Sequence, residues 1–224
     1  MMRASYLGEL ATRAVRRIGR ELDPAEREFR RLWPQINSIE GLLMDDQEKW
    51  LFKQARALPD GANIVEIGSF KGRSTSCLAF GCRGTRKRVF AVDTFDGNEW
   101  DFRDRRFFDE FDRNIRRLGL SKYVQPVVGS STEIAKSWNK SIHLLFVDGS
   151  HRYDDVLADY FGFLPHVAPG GILAFHDVEP SWPEVLRAWD DIIKHELRDV
   201  GYWSTLAYGR KPTDGATDFP RLIR

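Results

Sequence analysis

The sequence predicts an α/β domain built on a doubly wound, mostly parallel sheet, and three observations carry that expectation. From Asn63 onward, short apolar strands alternate with longer segments of helical periodicity. Alternation of this kind places helices on both faces of a parallel sheet. Three of the strands end in an acid, Asp93, Asp148 and Asp177, and in open sheets of this type the carboxyl ends of strands face the ligand crevice. The composition agrees, because 42% hydrophobic residues with 15 Phe and 7 Trp in 224 residues can fill the core of one domain carrying an extension.

Taken in order, residues 1–37 form a helical extension. Leu7, Leu10, Ala11, Ala14, Val15 and Ile18 fall at helical spacing, with Arg13, Arg16, Arg17 and Arg20 on the remaining face. Two readings of this basic amphipathic stretch stay open, a helix lying on a membrane surface and a helix packed on its own domain or a second subunit. Because the apolar stripe needs burial, a homo-oligomer is expected. Helical signals continue from Pro24 to about Pro34, and Ser38 to Leu58 reads as a helix closed by Leu58, Pro59, Asp60 and Gly61. Residues 38–224 form the main domain. Its strands are IVEIG (64–68), RVFAVD (88–93), VQPVV (124–128), IHLLFVD (142–148) and GILAFHD (171–177), with helices at about 73–82, 104–118, 131–138, 152–164 and 183–196. Residues 201–209 have strand character, but their turn is too weakly marked to separate one strand from two.

Charge and cysteine usage exclude several classes. Lys plus Arg at 34 against Asp plus Glu at 33 leave a net charge of +1, so no global field recruits nucleic acid. Cys77 and Cys82 are too few for a disulfide scaffold and lack the spacing of a structural zinc site, which reads as reduced thiols in a cytoplasmic protein. No run of about 18 apolar residues is present, so no stable membrane insertion is expected, and the first residues lack the pattern of a secretory signal.

The first loop carries chemistry. In IVEIGSFKGRST (64–75) a buried strand runs through Gly68 and Gly72 into a helix opened by Arg73, Ser74 and Thr75. Glycines admit close backbone approach, and the free N–H groups of a helix start favour negative charge. The spacing is not G-x-G-x-x-G, and Glu66 would repel a pyrophosphate while suiting a ligand with a cationic amino group. Asp93, ending the next strand, is placed to accept from two ribose hydroxyls.

The motifs E-I-G-S-F-x-G-R-S-T, V-D-T-F-D-G, V-V-G-S-S, F-V-D-G-S-H-R-Y and F-H-D-V, in this order, resemble the class I S-adenosylmethionine-dependent methyltransferases. The nearest branch is similar to the macrocin O-methyltransferase and cephalosporin-hydroxylase-like group, a relative of catechol O-methyltransferase. The resemblance covers roughly residues 38–210 and implies a Rossmann-like fold of the class I type. It implies that Glu66, Gly68, Ser69 and Ser74 surround the methionine part of S-adenosyl-L-methionine, that Asp93 holds the ribose, that Gly129, Ser130 and Ser131 contact the adenine, and that Asp148 lies beside the sulfonium and amino groups.

If the strands ending at Asp148 and Asp177 are neighbours, two carboxylates and the His176 imidazole converge as a divalent-metal site suited to Mg²⁺ or Mn²⁺. In the metal-dependent relatives the positions of Asp148, His176 and Asp177 bind the ion. Histidine at the middle position, where an acid is commoner, lowers the charge and shifts the preference towards Mn²⁺ or another transition ion. His151 falls where relatives place a general base. His143, His166 and His195 read as structural residues without partners, and Asp154, Asp155 and Asp159 as a solvated helix face, with Asp154 nearest the site. The segment 96–117, with Trp100, Phe102, Phe107, Phe108 and Phe111, is either a lid over the acceptor or a helix with a core stripe, and Trp182 between prolines is a candidate acceptor wall.

The expected function is methyl transfer to a hydroxyl of a small molecule, the macrocin branch implying a sugar of a natural product or glycan. Two alternatives stay open at this point, a nicotinamide-dependent oxidoreductase, against which Glu66 and the missing fingerprint count, and a cofactor-binding assembly protein without turnover.

Overall fold

A computed structural model describes residues 23–44, 46–97 and 106–213. The amphipathic stretch Leu7 to Ile18, Trp100 and Phe102 lie outside the described residues. The chain divides into two compact units between Ser38 and Ile39. In the first, helix α1 (Pro24–Ile36) starts where the Asp23 carboxylate accepts from the Ala25 N–H at 2.9 Å and Pro24 supplies a preset φ. It runs two residues past Pro34, and the Asn37 N–H closes onto the Trp33 carbonyl at 2.8 Å.

The second unit is a seven-stranded sheet between helices. Its elements are α2 (Gln47–Ala57), β1 (Asn63–Ile67), α3 (Arg73–Gly81), β2 (Arg88–Asp93), α4 (Arg106–Arg117), β3 (Val124–Val128), α5 (Ser131–Ser137), β4 (Ile142–Val147), α6 (Tyr153–Phe163), β5 (Val167–Phe175), α7 (Pro183–Asp191), β6 (Arg198–Trp203) and β7 (Leu206–Arg210). The strand order is β3-β2-β1-β4-β5-β7-β6, the first five parallel and β7 antiparallel to both β5 and β6. The doubly wound, mostly parallel sheet expected from the alternation is therefore present. Chain order reverses direction between β1 and β4, which opens a crevice at their carboxyl ends. The inner strands are apolar without alternation because both faces are covered. Ile64, Val65, Leu144, Leu145 and Phe146 are fully buried, and Val65 and Leu145 pack with Phe163, Leu173, Phe175 and Trp189 in one core cluster.

α2 and α3 approach closely at Gly81, where a Cβ would lie 2.6 Å from the Phe52 carbonyl oxygen. Beneath them the buried Lys87 ammonium donates to the Ala55 and Arg56 carbonyls at 2.7 and 2.8 Å, closing the C-terminal end of α2.

Two expectations need correction, and one open choice is decided. The helix expected over Ser38–Leu58 begins only at Gln47. Between Ile39 and Met44 two backbone groups meet side chains instead of a helical ladder: the Ile39 carbonyl accepts from Arg73, and the Met44 N–H donates to the Gln47 side chain. The helix expected over 183–196 stops at Asp191 and a 3₁₀ turn follows over Ile193–Glu196. Residues 198–210 are two strands, joined at Ser204 and Thr205, and the turn lacks a glycine signal because Ser204 itself adopts φ 55°.

Candidate active site

The loops leaving β1 and β2 lock together through Asp93. One oxygen of its carboxylate accepts the Ser69 and Phe70 N–H groups at 2.7 and 2.9 Å, and the other accepts the Phe95 N–H at 2.7 Å. Phe70 and Phe95 sit at φ 45° and 57°, a costly region for such side chains, and Asp93 stabilises both. Their rings pack on α4, Phe70 on Phe107 at 5.2 Å and Phe95 on Phe108 and Phe111 at 5.2 and 5.0 Å. Phe111 is fully buried, so this part of the segment serves as a core stripe. The sequence reading gives Asp93 free carboxylate oxygens for ribose; here three backbone donors already occupy much of its accepting capacity.

Glu66 lies fully buried beneath this loop. Its Oε2 accepts from the Ser69 hydroxyl at 2.9 Å and from the Thr75 hydroxyl, while Oε1 has no hydrogen-bond partner. Burial pushes its pKa up to about 7, offset in part by the hydroxyls of Ser74, Thr75 and Ser69. Ser69 thus joins Glu66 to Asp93, side chain to one and backbone to the other. Gly68, at φ 83°, lies against the end of β4, where a Cβ would stand 2.0 Å from the Asp148 carbonyl oxygen. Only glycine fits there. Thr75 is not singled out by the sequence reading, although its place in the first turn of α3, facing back to β1, is the signal that finds it.

β4 and β5 are parallel neighbours, with Val147 opposite Phe175, so Asp148, His176 and Asp177 meet. One ligand atom from each lies within 4.8 Å of the others. The His176 Nδ1 is 3.1 Å from the Asp148 Oδ1 and 3.1 Å from the Asp177 Oδ2, yet neither oxygen lies on the line a hydrogen bond requires, leaving a buried nitrogen aimed between two carboxylates. Burial opposes charge on His176, but Asp148 and Asp177 outweigh it and push its pKa up to about 10. Burial likewise raises Asp177, and His151 with His176 reverses this to about 2. Asp177 holds φ 57°, a third strained residue at the strand ends.

His151 stands in the loop before α6, its Nε2 3.0 Å from the Asp177 Oδ2 and its ring stacked on Trp182 at 3.8 Å and 26°. The Tyr153 N–H at the start of α6 is met by Glu184 at 2.8 Å, not by His151. With Asp148, Gly149, Ser150 and His176, His151 lines a cleft walled by Val156, Phe175 and Val185.

The adenine candidates lie one strand further out. Gly129, at φ 149°, donates its N–H to the Asp93 carbonyl at 2.9 Å, and the Ser130 hydroxyl pairs with Thr132 at 2.7 Å. The Ser131 hydroxyl donates to Asp159, which corrects the reading of Asp159 as solvated: it is 5% exposed on the sheet-facing side of α6. Two of the histidines read as unpartnered have partners, His143 accepting from the Asn63 N–H at 3.2 Å and His195 meeting the Asp190 carbonyl at 2.9 Å. Gln47, at 2.9 Å from the His176 Nε2, escapes sequence reasoning altogether, because 129 residues separate the pair.

A family described as a methyltransferase domain matches residues 65–178, just over half of the chain. The uncharacterized protein y4gI of Sinorhizobium fredii is 29% identical over 148 residues, which are 64% of this chain and 15% of that protein. Among solved structures, the SAH-bound methyltransferase PaMTH1 of Podospora anserina superposes with a TM-score of 0.64 at 15% identity, covering 92% of this chain and 96% of that one. The O-methyltransferase from Bacillus cereus in complex with SAH gives 0.59 at 20% identity, covering 85% and 93%. The chain belongs to this methyltransferase family and has the fold of the class I S-adenosylmethionine-dependent methyltransferases.

Proposed function

We propose that this chain transfers a methyl group from S-adenosylmethionine to a hydroxyl of a small molecule, with a divalent metal held by Asp148, His176 and Asp177 and with His151 as the base. The observation that carries this reading is the meeting of two constellations at Asp148: the Glu66, Ser69 and Asp93 cradle at the ends of β1 and β2, and the two-carboxylate, one-imidazole cluster at the ends of β4 and β5. Both fit their groups. The cradle offers a carboxylate atom without a partner and a glycine pressed on the neighbouring strand end. The cluster offers three donors converging on one point, the set a divalent ion with open positions requires.

S-adenosylmethionine supplies an electrophilic methyl carbon on a sulfonium that leaves as a neutral thioether, and a divalent ion supplies a lowered pKa at a bound hydroxyl. The remaining work falls to side chains. Asp177 accepts from the His151 Nε2–H, which leaves Nδ1 as the atom that takes the acceptor proton, the logic by which a carboxylate orients an imidazole base. Trp182, stacked on the ring, fixes its plane. Gly68 lets the β1 loop close on Asp148, so the cradle and the acid-histidine cluster would hold cofactor and acceptor next to each other at the carboxyl ends of the strands. The favoured acceptor is a sugar hydroxyl, following the resemblance to the macrocin branch. The oxidoreductase alternative is dropped, because the family match is to methyltransferases.

Calorimetry with S-adenosylmethionine and S-adenosylhomocysteine, followed by thioether release with a panel of hydroxylated acceptors with and without Mn²⁺, tests the reading. His151→Ala is expected to lower turnover by about 10²- to 10⁴-fold while leaving S-adenosylhomocysteine affinity unchanged. Absence of binding at millimolar cofactor would overturn the proposal, and full activity in excess EDTA would remove the metal from it.

A further inference from the structure

Gln47 opens α2 far from the motifs in sequence, yet it is fully buried with every polar atom of its side chain engaged. Its Oε1 lies 2.9 Å from the Met44 backbone nitrogen and 2.9 Å from the His176 Nε2, and its Nε2 donates to the Thr205 hydroxyl at 2.9 Å. A backbone N–H only donates, so the atom facing Met44 is the amide oxygen, and the amide cannot be turned over. The His176 nitrogen that meets the same oxygen must then carry a proton. This fixes the ring orientation: Nε2–H points to Gln47, and Nδ1 points between Asp148 and Asp177.

We propose that Gln47 is a positioning residue for the metal site, holding His176 as an Nδ1 ligand by accepting its Nε2–H. The inference rests on the metal reading above and deepens it. Metal-ligating histidines are oriented in this way by an acceptor on the opposite ring nitrogen, and loss of that acceptor typically weakens metal binding by about 10- to 100-fold. Gln47 is itself held from two sides, by the irregular segment ending at Met44 and by the β6–β7 turn. The carbonyl of Thr205 in that turn also accepts from the Val178 N–H at 2.9 Å, one residue beyond Asp177. The hairpin and the segment before α2 therefore converge on one ligand.

The test uses the full chain and three variants. Gln47→Glu keeps an acceptor for Met44 and His176, and the Thr205 hydroxyl can turn to donate to the second oxygen. Gln47→Leu removes the acceptor. Thr205→Val leaves it in place but unanchored. Mn²⁺ affinity is read by electron paramagnetic resonance, and the His176 Nε2–H by its downfield proton resonance in metal-free, ¹⁵N-histidine-labelled protein. The expected result is a roughly 10- to 100-fold weaker Mn²⁺ affinity and loss of the resonance in Gln47→Leu, both preserved in Gln47→Glu, with Thr205→Val between. A folded Gln47→Leu with wild-type affinity and an unchanged resonance overturns the proposal. Wild-type protein that retains the resonance but binds no Mn²⁺ overturns the metal reading, and the positioning role of Gln47 with it.

Discussion

Replacing Asp159 by asparagine removes a carboxylate that α6 buries at 5% exposure against the start of α5. Burial pushes its pKa from 3.8 up to about 6, with the Ser131 hydroxyl pulling it down and Asp155 pushing it up. The folded chain therefore keeps a proton through that interval which the unfolded chain has released. Stability supplied by this group falls as pH rises from 3.8 to 6 and is flat above it. Between about pH 4.5 and 7.5 the linkage amounts to roughly 2 kcal/mol, or about 4–8 °C in unfolding temperature for a domain of this size. The substituted amide would keep an oxygen for Ser131 and carry no charge, so any packing change adds a constant offset and only the slope is diagnostic. Urea unfolding of wild type and Asp159→Asn across this range, at constant ionic strength, is expected to show the wild type losing about 2 kcal/mol relative to the variant. Parallel curves would refute the reasoning and place Asp159 in water.

Two further substitutions probe the frame of the site. Gly68→Ala would set a methyl 2.0 Å from the Asp148 carbonyl oxygen at φ 83°; the conformation alone costs roughly 1–3 kcal/mol, and displacement of Asp148 is expected to weaken S-adenosylhomocysteine and Mn²⁺ together. Calorimetry showing unchanged affinity for both would contradict the close approach of the two strand ends. Lys87→Met keeps the buried stem but leaves the Ala55 and Arg56 carbonyls without their donor, for a loss of roughly 1–3 kcal/mol in urea unfolding with cofactor affinity unaltered; a more stable variant would assign the lysine no part in joining α2 to the sheet.

What is legible in the sequence has local causes. Apolar runs such as Ile142 to Val147 mark strands covered on both faces, and the acids that follow them mark strand ends, so the five parallel strands can be read from the chain alone, whereas the meeting of Asp148 with His176 and Asp177 waits on the pairing of β4 with β5. What cannot be read depends on partners distant in sequence. Nothing near Gln47 announces His176, and nothing near Ser131 announces Asp159 across 28 residues. Ser204 takes a left-handed turn without the glycine that would signal it, so the pattern of residues does not decide the hairpin. Residues 39–44 have apolar spacing, but the Ile39 carbonyl and the Met44 N–H meet side chains, a choice invisible to periodicity.

A count of acids at the strand ends overstates the negative charge that a sulfonium would meet. Glu66 is pushed up to about 7 by its burial, Asp93 is engaged by three backbone N–H groups, and Asp148 and Asp177 share a histidine, or under the proposed function a divalent ion. This matters for rate, because the positive charge of the sulfonium disappears as the methyl group moves. An environment that stabilised that charge strongly would lower the ground state more than the transition state. Hydroxyls and loop N–H groups, which orient without adding net charge, carry the structure of the cradle instead. Histidine in the middle of the metal set follows the same rule: with two carboxylates and a neutral imidazole, a divalent ion leaves the cluster with no net charge, where a third acid would leave one negative charge beside the methyl donor.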